Sequence, residues 1–74
     1  MKYFRDEKFL KKLGGRIKAL RQSQNMSQSQ LAFEAEVPIN QIGRIERGEI
    51  NAGICTLNAL AKAFGVEINE LFSF

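Results

Sequence analysis

The chain has 74 residues, a net charge of +3, one cysteine and no histidine. That composition excludes a disulfide within the chain and leaves a metal site without its usual ligands. No apolar run approaches the roughly 20 residues needed to span a bilayer, no export leader is evident, and a lone thiol fits a reducing cytoplasm. One small domain is expected, stabilised by helix packing or dimerisation.

The charge is unevenly spread. Residues 1–26 carry eight Lys or Arg against Asp6 and Glu7. Such a field attracts polyanions, DNA phosphates most obviously, but also acidic proteins or membrane surfaces, and it equally fits a solvated helix face.

Apolar residues recur at helical spacing almost throughout, with no strand-like alternation. The first helix is expected from Asp6 to Gln24, with Asp6 as its N-cap. Phe9, Leu10, Leu13, Ile17 and Leu20 form its apolar stripe, and Lys11, Lys12, Lys18 and Arg21 surround it. Gly14-Gly15 weakens the helix interior by roughly 1 kcal/mol per glycine, which implies close approach of another helix. Asn25 suits the left-handed residue that ends the helix. Ser27 and Gln30 have the spacing of a capping box, with Met26 and Leu31 as a hydrophobic staple across it. Leu31, Ala32 and Ala35 form the inner face of this second helix. A turn at Glu36-Val37-Pro38 leads to a third helix over residues 39–47, with Ile42 and Ile45 inward and Gly48 as its stop. A loop over residues 49–53 precedes a fourth helix, residues 54–64, burying Leu57, Leu60, Ala61 and Phe64 and ending at Gly65. A short fifth helix is expected over residues 68–72.

The ordered set Gly14, Ile17, Leu20-Arg21, Ser27-Gln28, Leu31-Ala32, Val37, Ile42, Ile45-Glu46-Arg47-Gly48, Leu57, Leu60-Ala61, Phe64-Gly65-Val66 and Glu70-Leu71-Phe72 resembles the helix-turn-helix domain of phage repressors and Cro, the XRE-like family. The resemblance covers residues 13–72. It implies an all-α, compact five-helix, lambda-repressor-like DNA-binding domain over residues 13–74, preceded by an N-terminal extension and the start of helix 1 over residues 1–12.

The resemblance further implies that the helix from Ile39 is the recognition helix and that the helix from Gln28 crosses the phosphate backbone with its N-terminus toward a phosphate. Base-reading residues would then be Gln28, Ile39, Asn40, Gln41 and Arg44. A Gln or Asn amide donates and accepts at once, as adenine requires. Ile39 either meets a thymine methyl or is simply exposed. Arg44 suits guanine, with a phosphate as its alternative. Ser27, Arg47 and Asn51 are expected phosphate contacts. The family position of Glu46 implies an internal ion pair with Arg21, since a carboxylate facing DNA would repel phosphates.

Three positions depart from the family pattern. Glu36 stands where the family usually has Gly, and a positive φ there would cost roughly 1 kcal/mol. Pro38 replaces the usual Ser or Thr cap. Gly43 lies midway in the recognition helix, where it either loosens the helix or admits a phosphate. Phe33 follows Leu31 by about 200° on the helix and should point away from the core, against Tyr3 and Phe4, against a partner, or into solvent.

One recognition helix reads too few base pairs to find a site in a genome, so a homodimer on an inverted-repeat operator of double-stranded DNA is expected. Ile68, Leu71, Phe72 and Phe74 are its expected interface. The implied setting is bacterial or phage, cytoplasmic and nucleoid-associated. No cofactor, membrane partner or small-molecule ligand is expected. The rival is a protein-interaction module on the same fold, using Phe33, Phe72 and Phe74. An enzyme is disfavoured: there is no His, Cys–base pair, phosphate loop or paired carboxylate constellation.

Overall fold

The computed structural model describes residues 4–74. Four α-helices follow in order: α1 Glu7–Ser23, α2 Gln28–Ala35, α3 Ile39–Glu46 and α4 Ile54–Phe64. The expected fifth helix, Ile68–Phe72, is a 3-10 helix rather than an α-helix. It is only five residues long and is closed by i to i+3 bonds, Glu70 N to Glu67 O at 2.9 Å and Ser73 N to Glu70 O at 3.4 Å, as short terminal turns favour. The fold is all-α. No helix among the described residues is long and apolar enough to cross a membrane.

The starts of α1 and α2 each follow from a local side chain. The Asp6 carboxylate accepts from Phe9 N at 3.0 Å, and Ser27 Oγ accepts from Gln30 N at 3.0 Å. Each fills one orphan amide of a first turn. The expected reciprocal bond from the Gln30 side chain is not formed among the described residues, so the capping box is half-made. Met26 and Leu31 are both buried in the core.

All four α-helices end alike. A residue with positive φ follows each one: Asn25 (φ 56), Glu36 (φ 57), Gly48 (φ 71) and Gly65 (φ 75). The next amide then bonds five residues back: Met26 to Arg21, Val37 to Ala32, Glu49 to Arg44 and Val66 to Ala61, at 2.9–3.1 Å. This is the Schellman motif. Glu36 pays the left-handed penalty that a glycine would avoid, and Val37 beyond it is buried.

Ile17, Leu31, Ile42, Leu60 and Leu71 are almost wholly buried, each stabilising the fold by about 1.5–3 kcal/mol relative to exposure. They come from α1, α2, α3, α4 and the 3-10 helix, so one core ties every element together. Phe9, placed in the α1 stripe by its spacing, is 42% exposed and is not part of this core. α1 and α3 cross in contact at Gly14, where a Cβ would lie 2.3 Å from Ile45 O and 2.6 Å from Glu46 O. Nothing lies within 4 Å of a Cβ on Gly15. The close approach therefore involves only the first glycine of the pair.

Candidate nucleic-acid interface

α3 is sharply two-faced. Ile42 and Ile45 are buried, while Asn40, Gln41 and Arg44 are exposed and Ile39 is half-exposed. Pro38 forms the N-cap with no side-chain bond. Its carbonyl still accepts from Gln41 N at 3.0 Å and Ile42 N at 3.3 Å, so the helix starts without a polar cap.

Behind that face, a buried carboxylate joins three helices. Arg21 Nε donates to Glu46 Oε2 at 2.6 Å and Arg21 Nη2 to Glu46 Oε1 at 3.1 Å. Gln28 Nε2 donates to the same Oε1 at 3.0 Å, and Arg21 Nη1 donates to Met26 O at 2.8 Å. The hydrogen bond to Glu46 raises the Arg21 pKa despite burial, and the charge of Glu46 adds to the rise. The network clamps the start of α2 to the end of α3. It also occupies part of Gln28: one amide hydrogen and the carbonyl oxygen remain for other partners.

The outer rim carries a feature that the sequence reading missed. Glu49 accepts from Arg47 Nε at 2.6 Å and Arg47 Nη2 at 3.4 Å, and its Oε1 lies 3.8 Å from Arg44 Nε. The hydrogen bond from Arg47 is the main cause holding the Glu49 carboxyl below its ordinary value, helped by the charges of Arg47, Arg44 and Lys11. Arg47 is raised in turn by the same bond. The Arg47 guanidinium folds back over Gly43, lying 3.0 Å from where a Cβ would stand. The missing side chain at Gly43 makes room for it and for Gln28.

The remaining sequence-predicted residues are spread around the domain. Ser27 is exposed at the α2 cap, close in sequence to Gln28. Asn51 is exposed and lines a hollow with Phe4, Asp6, Phe9 and Leu10, at the N-terminal end of α1. Leu71 was grouped with the dimer-facing residues, but its side chain is fully buried in the monomer core and presents nothing to a second copy. Ile68 is half-buried against that core. Phe72 and Phe74 are exposed and pack on Phe9, with ring centroids 6.2 Å and 5.5 Å away. Phe33 is 85% exposed and Phe4 86% exposed, so neither covers the other. Tyr3, its other expected neighbour, lies outside the described residues.

The helix-turn-helix family matches residues 17–71. The chain belongs to the XRE-like helix-turn-helix family. It is 37% identical to the control protein C.BamHI of Bacillus amyloliquefaciens over 62 residues, which cover 82% of this chain and 76% of that one. It is 36% identical over 59 residues to the immunity repressor protein of Bacillus phage phi105, covering 80% of this chain but only 41% of the repressor. The crystal structure of the restriction-modification controller protein C.AhdI from Aeromonas hydrophila superimposes with a TM-score of 0.84 at 36% identity, over 85% of this chain and 96% of that one. In this helix-turn-helix protein, α2 and α3, joined by the turn at residues 36–38, lie within the matched residues.

Proposed function

We propose that this helix-turn-helix protein is a sequence-specific double-stranded-DNA-binding transcription regulator. It reads an inverted-repeat operator as a homodimer, with α3 in the major groove. The observation that carries the reading is the outer face of α3, where Asn40, Gln41 and Arg44 stand exposed on a helix whose inner face is locked into the core. The uncharged amides and the arginine that α3 itself contributes suit base edges flanked by phosphates. The names of the relatives, a repressor and two controller proteins, point the same way.

In this reading Arg44, Asn40 and Gln41 read bases, Ile39 meets a thymine methyl, and Gln28 bridges toward the DNA from the start of α2. Ser27 and Arg47 hold phosphates. The Arg21–Glu46 pair is structural and ties α1 to α3, and the bond from Gln28 to the same carboxylate adds α2. Phe72, stacked on Phe9, and Phe74, tilted against it, offer the apolar surface for the second copy, with Ile68 beside them.

A binding selection from a random duplex pool at moderate salt tests the reading. It should enrich an inverted repeat with half-sites about one helical turn, ~34 Å, apart. A pool left unenriched, with no retention even at low salt, would overturn it and turn attention to the exposed Phe33 and the C-terminal aromatics as a protein-binding surface.

A further inference from the structure

We propose that Glu49 is an internal competitor for DNA phosphate, occupying the arginines of the α3 rim and so setting how tightly the domain binds DNA. The inference rests on the DNA-binding reading above and deepens it.

The first observation is positional. Each α-helix ends in the same motif, and the residue after the left-handed one is Met26, Val37 or Val66 in three cases. Those side chains are buried or half-buried, as the apolar contact that usually accompanies the motif requires. After α3 the equivalent residue is Glu49, and it is exposed. Instead of covering the helix end, its carboxylate turns back along α3 to Arg47 and Arg44.

The second observation is what surrounds it. Arg44, Arg47 and Lys11 all act on the Glu49 carboxyl, and Arg5 Nη2 donates to the Glu49 backbone carbonyl at 2.6 Å. The Glu49 carboxylate thus bonds Arg47 and lies 3.8 Å from Arg44, while Arg5, which holds the backbone carbonyl, is itself paired with Glu7. An exposed ion pair of this kind contributes little to folding. Its larger effect falls on a competing anion: a phosphate that takes the Nε and Nη2 edge of Arg47 must displace Glu49, and one that takes the remaining N–H groups still meets its negative charge.

Random-sequence duplex is the right probe, because binding to it is almost wholly electrostatic. At about 0.1 M salt, Glu49→Gln should lower Kd for that duplex by about three- to tenfold, or roughly 0.7–1.4 kcal/mol, while leaving the melting temperature nearly unchanged. Glu67→Gln makes the same change of net charge away from Arg44 and Arg47, and should shift Kd less than twofold. In an Arg47→Ala background the effect of Glu49→Gln should shrink, Arg44 alone remaining to be freed. The proposal is overturned if Glu49→Gln matches Glu67→Gln, if its effect is undiminished by Arg47→Ala, or if it lowers the melting temperature without tightening binding. Failure of the wild-type protein to bind any duplex would instead overturn the DNA-binding reading itself.

Discussion

Glu46 accepts three side-chain hydrogen bonds from two other helices while its side chain is only 2% exposed. Removing it leaves the Arg21 guanidinium buried with a backbone carbonyl as its remaining partner. Breaking a buried pair from one side costs about 3–5 kcal/mol, against a total stability for small domains of only about 5–15 kcal/mol. Glu46→Ala should therefore lower the urea midpoint severely. A loss below about 1 kcal/mol would mean that the pair behaves like a surface one. The partnership of Arg21 with Glu46 was legible through the family resemblance, but the bond from Gln28 was not. It depends on the side chain of Gln28 turning across toward α3, and no spacing rule links residues 18 apart. Glu49 was illegible for a related reason. Arg47 and Arg44 lie two and five residues before it, which are not helical partners, and they meet it only because the chain reverses at Gly48 (φ 71).

At the scale of elements, the crossing of α1 and α3 sets where α3 stands. Gly14 and Gly15 are adjacent in sequence and identical in side chain, yet only Gly14 faces another backbone. Gly14→Ala should push α3 away from α1 and cost roughly 1–3 kcal/mol or more. Gly15→Ala meets open space in the middle of a helix and should gain about 0.5–1 kcal/mol. Thermal melts of the two variants check this, and shifts of the same sign in both would refute the placement. Helix starts, helix stops and the inner faces of α2, α3 and α4 were all readable, because caps, left-handed residues and apolar spacing are local signals. Phe9 was not. Its spacing put it in the α1 stripe, but the N-terminal end of α1 extends past the core, and the ring meets Phe72 and Phe74 instead. The 3-10 form of residues 68–72 was also beyond a spacing argument, since its apolar positions fit either helix type.

For the whole molecule, the basic N-terminal third is less available than its residue count suggests. Arg21 is spent on Glu46, Arg16 bonds the Glu70 carbonyl at 2.9 Å and lies 3.6 Å from its carboxylate, and Arg5 pairs with Glu7. The exposed cations of α1 are Lys8, Lys11, Lys12 and Lys18. The proposed reading therefore puts base recognition on α3 and the length of the site on a second copy. Light scattering at about 50 μM should give the mass of two chains, and Phe72→Ser should lower it toward one. A wild-type monomer at that concentration would contradict the dimer.

If α3 reads base sequence, Arg44 is the side chain on which that role turns. Kd should be measured for the wild type, Arg44→Ala and Arg47→Ala on the duplex enriched by selection and on a scrambled duplex of the same length. Arg44→Ala should lose about 1–3 kcal/mol on the enriched site and much less on the scrambled one, whereas Arg47→Ala should weaken both alike. An equal loss on both duplexes for Arg44→Ala would contradict the account.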